Sequence, residues 1–386
     1  MRRTVVLSAN TSWNLYNFRG GLIGALAERG WDVLCVAPED DYTPRLAELG
    51  ARWIGISMSQ RGLGPADNAR TLMRYVDVYR RERPSVALHF TIKPVMFGSI
   101  AARLLRIPTV NSITGLGNAF LRQDAVTPAI TALYRVALGG AHKVFFQNPE
   151  DLELFVERGM APRKRTALVA GSGVNLARFN PTPPPSNAAF TFLLIARLLT
   201  EKGLAEYAQA ARLLRARGVD ARFLLLGPGA GEDKGAVPLS QIGTWQAEGV
   251  LEYLGETADV RPAIAAADCI VLPSYREGTP RVLLEAGAMA RPSVATDVAG
   301  CRQVVVEGET GLLCRAKDAV DLADKMQAMA RLSVEARARM GALARRRIEQ
   351  EYDLRRVVAA YLEAIEAACP PAAYGALASQ PAVPMV

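Results

Sequence analysis

The residues best suited to chemistry lie in one run, Ser274-Tyr275-Arg276-Glu277-Gly278-Thr279-Pro280-Arg281-Val282-Leu283-Leu284-Glu285-Ala286. It follows an apolar stretch, Cys269–Leu272, and opens a helical pattern. Thr279 is of the type that caps a helix start, and Pro280 suits the first helical position. Free backbone N–H groups there, with the positive end of the helix dipole, suit a phosphate group. Gly278 lets a ligand come close to the backbone. Two acids frame the turn: Glu277 precedes the helix, and Glu285 lies about 8 Å further along at ~1.5 Å per residue. Carboxylates accept hydrogen bonds from hydroxyls. A nucleotide-sugar laid across this helix start would therefore set its sugar by one acid and its ribose by the other. A solvated loop acid beside a helix-surface acid would give the same spacing without function.

A second cluster is Ile195-Ala196-Arg197-Leu198-Leu199-Thr200-Glu201-Lys202-Gly203, after the apolar run Phe190–Ile195. Arg197 and Lys202 place two cations on a strand-to-helix loop. Such a pair suits a diphosphate leaving group, neutralising the charge that grows as a glycosidic bond breaks. Asp40 and Asp41 are adjacent and no Asp-x-Asp spacing occurs, which disfavours a metal-held diphosphate. Two histidines (His89, His142) and five cysteines without CxxC spacing give no ligand set for structural zinc. No metal or other cofactor is expected. No GxGxxG follows the first strand, against a nicotinamide dehydrogenase. His89 ends an apolar strand and reads first as a core histidine. Lys93 follows the same strand at its ligand-facing end, where a phosphate contact and a plain surface lysine are equally open.

These residues need a scaffold. Val5–Ser8, Asp32–Val36, Arg52–Ile56, Val86–Phe90, Thr109–Ile113 and Lys143–Phe146 read as buried strands. Helical patterns at Gly21–Arg29, Asn68–Arg83, Val95–Leu105 and Pro128–Leu138 separate them. Near-continuous apolar strands with helical crossovers predict a parallel sheet covered on both faces. Residues 181–187 hold four prolines and read as a linker. A second β/α series follows: Phe190–Ile195, Leu204–Arg217, Ala221–Leu226, Val250–Tyr253, Cys269–Leu272, Pro280–Met289 and Pro292–Thr296. Helices then run over Ala319–Leu332, Glu335–Gln350 and Leu354–Ala367, before an Ala/Pro-rich tail over 369–386 that reads as disordered. The expectation for these 386 residues is an α/β protein of two Rossmann-like domains, 1–180 and 188–352, with a helix over 353–368.

The chain is half hydrophobic, which rules out wholesale disorder. It contains no apolar run of about 18 residues, which rules out a spanning helix. The opening Met1-Arg2-Arg3 leads straight into a strand and not into a signal peptide. Residues 1–180 carry 23 lysines and arginines against 14 acids, whereas residues 181–386 carry 23 against 24. All the excess positive charge, +9, is therefore in the first half, and it suits phosphorylated substrates, a polyanion or an anionic membrane. Arg103 and Arg106 flank Val95, Met96, Phe97, Ile100, Leu104 and Leu105. Arg70, Arg74, Arg80, Arg81 and Arg83 surround Leu72, Met73, Tyr75 and Tyr79, with Arg122 and Arg135 beyond. An apolar strip edged by arginines is what a helix lying on an anionic bilayer displays. An ordinary helix covering a sheet displays it too.

Glu277-x7-Glu285 in its Tyr-Arg-Glu-Gly-Thr-Pro setting, with Arg197-x4-Lys202, resembles the donor site of the retaining glycosyltransferases of family 4, which have the GT-B fold. Asp297-Val298-Ala299-Gly300-Cys301 and Glu307-Gly308-Glu309-Thr310-Gly311-Leu312-Leu313 match the family's downstream run, so the resemblance covers nearly the whole chain. It implies a metal-independent enzyme whose C-terminal helix crosses back to the first domain. Arg197 and Lys202 would bind the donor diphosphate, Glu277 the donor sugar and Glu285 the ribose, beside Gly278, Thr279 and Pro280. In the first domain the segment Trp13–Gly21 would be a loop whose Gly20 and Gly21 let a helix start approach the diphosphate. Arg19 would face a donor or acceptor phosphate, and Asn17 would orient a hydroxyl. Many members place a histidine where this chain has Thr114, so no base is carried over there; Thr114 would hydrogen-bond a sugar hydroxyl. Phe90-Thr91-Ile92-Lys93-Pro94 with Ile113-Thr114-Gly115-Leu116-Gly117 resembles a subgroup that extends polyprenyl-diphosphate-linked saccharides, often from UDP-N-acetylhexosamine. The partners implied are a UDP-sugar, a lipid-diphosphate-linked acceptor and an anionic membrane on the cytoplasmic side, with no nucleic acid. The rivals are a nucleotide-sugar epimerase of the same architecture and a non-enzymatic polyanion-binding protein.

Overall fold

The computed structural model describes residues 3–58, 64–115, 127–186, 188–231, 233 and 235–369. Leu116, Gly117, Arg122, the last linker residue Asn187 and the expected disordered tail from 370 lie outside the described residues. The chain divides into two compact units. One comprises the chain to Val169 and again from Val358; the other is Ala170–Val357.

The first unit is a parallel sheet built from β1 (Thr4–Ser8), β2 (Asp32–Ala37), β3 (Ala51–Gly55), β4 (Val86–Phe90), β5 (Thr109–Ile113), β6 (Lys143–Phe146) and β7 (Thr166–Leu168), in the order β3-β2-β1-β4-β5-β6-β7. Leu7 of β1 is flanked by Cys35 on β2 and Leu88 on β4. Central strands such as Val86-Ala87-Leu88-His89-Phe90 are buried at every position. That burial explains their near-continuous apolar character. The connecting helices are α1 (Ser12–Glu28), α2 (Arg45–Glu48), α3 (Pro65–Glu82), α4 (Ser99–Leu104), α5 (Thr127–Leu138) and α6 (Pro149–Glu157).

Two local expectations change here. Trp13–Gly21 is helix, not loop: Thr11 is extended and its hydroxyl accepts the Asn14 N–H at 3.0 Å, so α1 starts there. The run expected as one helix over Val95–Leu105 opens instead with a π-helical turn, Pro94–Gly98, and becomes α-helical only at Ser99. The arginine-edged strips also resolve. Tyr75 and Tyr79 of α3 are in the core, as are Val95, Met96 and Phe97, while Met73 and Leu104 are 56% and 66% exposed. For those buried residues the pattern is that of a covering helix. Among the described residues no helix is long and apolar enough to cross a membrane.

The second unit has the strands β8 (Phe190–Ile195), β9 (Ala221–Leu226), β10 (Glu252–Tyr253), β11 (Cys269–Leu272), β12 (Ser293–Thr296) and β13 (Gly311–Cys314), ordered β10-β9-β8-β11-β12-β13. Side chains alternate between its two apolar faces, as a strand's period of two requires. Phe192, Leu194, Phe223, Leu225 and Val271 fill one, and Leu193, Leu224, Leu226, Ile270 and Leu272 the other. The helices are α7 (Leu204–Ala216), α8 (Leu239–Ala247), α9 (Arg261–Ala266), α10 (Arg281–Ala288), α11 (Ala299–Val304), α12 (Ala319–Arg331), α13 (Val334–Glu351) and α14 (Leu354–Ala368).

The Pro-rich stretch packs on this unit. The Arg291 guanidinium donates to the carbonyls of Thr182 (2.9 Å), Pro183 (2.7 Å) and Ala265 (2.8 Å). Upstream, Val174 forms a parallel bridge with Asp353. The division between units accordingly falls before this stretch. Helix α14 then carries the chain back into the first unit. There Tyr361 packs edge-on against Phe90 and Phe145 and donates to Ser112 Oγ at 2.9 Å. The crossing helix expected of the fold is present.

Candidate active site

In the second unit the strand order reverses between β8 and β11. Open parallel sheets bind ligands outside the carboxyl ends of strands at such a switch point. The loops leaving these two strands are held together there. Tyr275 donates its backbone N–H to the Glu201 carbonyl at 2.9 Å. Gly203, at φ +73°, passes so close to β11's exit that a Cβ would sit 2.1 Å from the Pro273 carbonyl. At Gly300, a Cβ would meet the Gly278 carbonyl at 2.2 Å.

This packing brings Lys202 and Glu277 into contact, Nζ to Oε1 at 2.6 Å, with side chains 20% and 14% exposed. The ammonium expected at a diphosphate and the carboxylate expected at a sugar thus form one ion pair at the switch point. A residue outside the sequence candidates anchors the loop that carries Glu277. Tyr275 donates its hydroxyl to Glu206 Oε1 at 2.7 Å, and its ring lies 4.9 Å from Lys317 Nζ. Burial and the Glu206 carboxylate push its phenol pKa up.

The neighbouring candidates are placed differently. Arg197 shares the loop but points to Asp233, at 3.0 Å, and is 56% exposed. Glu285 is buried, with 8% exposure, and accepts from Arg281 Nε at 2.7 Å. That excludes a helix-surface acid. Burial raises its carboxyl pKa, partly offset by Arg281. The helix start is shifted by one residue from expectation: α10 begins at Arg281, and Pro280, with ψ 115°, is its cap residue. The Pro280 carbonyl accepts from Leu283 N–H at 3.1 Å. Thr279 lies against Gly171, where a Cβ would approach it to 2.8 Å. Gly278 and Thr279 therefore form the turn before the helix.

The first-unit candidates separate likewise. Gly20 and Gly21 lie mid-way along α1, not at its start. Gly20 instead admits Leu49, whose Cδ1 would be 3.3 Å from a Cβ. The Asn17 amide donates to the Trp13 carbonyl of its own helix at 3.0 Å. Arg19 is buried, its guanidinium 4.2 Å from the Phe90 ring centre and 5.8 Å from that of Tyr361. Thr114 leaves β5 half-buried, next to Gly115. Lys93 follows β4 by three residues, with its Nζ buried. His89 is the core histidine expected, its Nε2 2.7 Å from the Tyr79 hydroxyl and its Nδ1 3.0 Å from Asn111 Oδ1. Burial lowers its pKa to about 4.

A family model described as "Glycosyl transferases group 1" matches residues 189–331, which contain the Lys202–Glu277 pair. Another, "Glycosyl transferase 4-like domain", matches residues 19–171. Between them the two take in most of the chain. The chain is a glycosyltransferase.

This glycosyltransferase is 29% identical over 330 residues to the N,N'-diacetylbacillosaminyl-diphospho-undecaprenol alpha-1,3-N-acetylgalactosaminyltransferase of Campylobacter jejuni, across 81% of this chain and 85% of that one. It is 31% identical to the putative colanic acid biosynthesis glycosyltransferase WcaL of Escherichia coli (strain K12) over 216 residues, about half of each chain (53% and 52%). Among solved structures, Anabaena HepE in complex with UDP and glucose matches with a TM-score of 0.76 at 17% identity, over 94% of this chain and 99% of that one. That likeness is one of fold. Neither the epimerase nor the polyanion-binding alternative is favoured.

Proposed function

We propose that this glycosyltransferase moves a hexose or N-acetylhexosamine from a UDP-sugar to a polyprenyl-diphosphate-linked saccharide, with retention at the anomeric carbon and without a metal ion. The observation that carries this reading is the Lys202–Glu277 pair at the switch point of the second sheet. The relative from Campylobacter, whose name specifies a diphospho-undecaprenol-linked substrate, supports the acceptor class, and the UDP in the HepE complex supports the nucleotide.

In the proposed reaction, Lys202 turns from Glu277 to the donor's phosphate oxygens. Its positive charge stabilises the diphosphate as the bond from the anomeric carbon to the phosphate oxygen breaks and that oxygen keeps the electron pair. The freed Glu277 accepts hydrogen bonds from the donor sugar's hydroxyls. The acceptor hydroxyl attacks the anomeric carbon from the same face and its proton passes to the departing phosphate oxygen. No side-chain base is required, which suits a chain with Thr114 at the family's histidine position. Gly278, Thr279 and Pro280 line the diphosphate at the start of α10, and Glu285 with Arg281 meets the ribose. Arg197 adds charge at the rim.

Turnover of a UDP-sugar in the presence of EDTA tests this. Lys202→Ala is expected to lower it by about 10² to 10³, as loss of a donor to a developing oxyanion does. Near-normal turnover by this variant at saturating donor would overturn the assignment. Docking on an anionic bilayer is part of the proposal, supported by Met73 and Leu104 standing exposed among the arginines of the adjacent helices α3 and α4.

A further inference from the structure

The first sheet also has a switch point, between β1 and β4, and it carries a cation without a hydrogen-bond partner among the described residues. The residues leaving these two strands are tied by a hydrogen bond from the Asn10 N–H to Thr91 Oγ1, at 3.1 Å. Thr91 stands at φ +67°. A β-branched residue takes this left-handed conformation only where the surroundings impose it, and such strain concentrates at functional sites. Immediately beyond lies the π-helical turn Pro94–Gly98, an irregularity with the same tendency.

Lys93 lies between the two. Its Nζ is buried and makes no hydrogen bond to any of the described residues. Desolvation lowers its pKa, opposed in part by the Asp67 carboxylate. Asp67 is itself paired with Arg70 at 3.3 Å. A desolvated ammonium without a hydrogen-bonded partner is unfavourable, and an anion bound beside it relieves that cost. The backing is rigid. Val95, Met96 and Phe97 are buried behind it, and Gly98 abuts the His89 imidazole so closely that a Cβ would lie 2.5 Å from its ring atoms.

We propose that Lys93 is the cation of a second anion site, wholly within the first unit, that takes the diphosphate of the lipid-linked acceptor. Thr91 and Asn10 hold the turn that presents it, and Thr114 leaves the adjacent strand β5 at the same sheet edge. This rests on the reading of the chain as a transferase to lipid-diphosphate acceptors. The diphosphate of the donor has the same chemistry, so the test separates the two.

Farnesyl diphosphate and UDP are titrated separately and together against the full-length protein, its Lys93→Met and Lys93→Arg variants, and with farnesol as the chain-only control. The expected result is simultaneous binding of both ligands to the wild type. Lys93→Met weakens farnesyl diphosphate about tenfold or more, a loss of ~1.4 kcal/mol. It leaves UDP unchanged, and Lys93→Arg recovers part of the loss. Because it removes an unpaired buried charge, Lys93→Met is also expected to raise Tm. Unaltered farnesyl diphosphate binding in Lys93→Met overturns the proposal, as does a loss of UDP binding in its place or equal binding of farnesol. Should Lys93→Met not fold, Lys93→Gln takes its place. Lys93-dependent binding of farnesyl diphosphate with no UDP binding would leave this site standing and remove the donor reading instead.

Discussion

At 2.6 Å, the Glu277 carboxylate holds Lys202, so a diphosphate competes with a carboxylate for the ammonium. Glu277→Gln removes that competition. It is expected to tighten UDP binding about three- to tenfold, or ~0.7 to 1.4 kcal/mol, while lowering turnover because the sugar loses a charged acceptor. Calorimetric titration of UDP checks this, and unchanged or weaker UDP binding would count against the exchange. The structure also ranks two cations that look equivalent in the sequence. Lys202 is enclosed, whereas Arg197 is mostly exposed and engaged with Asp233. Arg197→Ala is expected to cost no more than about tenfold in turnover, against 10² to 10³ for Lys202→Ala. The spacing of Glu277, Glu285 and Lys202 was readable because each has a fixed offset from a strand end. Tyr275 and Asp233 were not, because their importance comes from partners 69 and 36 residues away, Glu206 and Arg197.

The elements that hold this pair depend on loops meeting closely. Gly203→Ala would place a methyl 2.1 Å from the Pro273 carbonyl in a backbone conformation with φ +73°. A destabilisation of about 1–3 kcal/mol is expected, seen as a lower Tm, together with weaker UDP binding because the loop bearing Lys202 is moved. In the first unit, β4 carries His89 with its pKa lowered to about 4 from 6.5. The folded imidazole stays neutral where the unfolded one takes up a proton, so this residue makes the fold less stable as pH falls from about 6.5 towards 4. The slope is at most about 1.4 kcal/mol per pH unit. Urea unfolding across this range should show a flatter pH dependence for His89→Gln than for wild type; parallel curves would contradict the assignment. Buried strands were the most legible elements, since both faces are covered and their apolar runs are short and continuous. Helix α1 was misread because Asn14, Asn17, Gly20 and Gly21 resemble loop residues, and only the Thr11 cap and burial of Leu15, Leu22 and Leu26 make it a helix. Short pieces such as α2 and α9 hold too few turns to show a period.

Over the whole molecule, the charge asymmetry and the two sheets fit the proposed division of labour, with Lys93 meeting the acceptor in one unit and Lys202–Glu277 the donor in the other. The outward arginines Arg70, Arg74, Arg80 and Arg81 of α3, with the exposed Met73 and Leu104, support docking on an anionic bilayer. Co-sedimentation with phosphatidylglycerol vesicles is expected, and with phosphatidylcholine vesicles much less; an Arg70→Glu, Arg74→Glu double variant should lose much of the difference. Equal binding to both lipids would remove the electrostatic part. Two units were legible from the repeated β/α series, and the returning helix from the family resemblance. The division before Ala170 was not, since it is set by Arg291 and by the Val174–Asp353 bridge, which tie the Pro-rich stretch to the second unit.

The most direct test of the central claim is a thermal-shift screen of UDP-, GDP-, TDP- and ADP-sugars in EDTA, run on wild type and Lys202→Ala. A ligand at 100 times its Kd stabilises a fold by about 2.7 kcal/mol. The expected result is a clear rise in Tm with a UDP-sugar, without metal, lost in Lys202→Ala. No rise with any nucleotide-sugar, or a rise that Lys202→Ala keeps in full, would contradict the donor site described here.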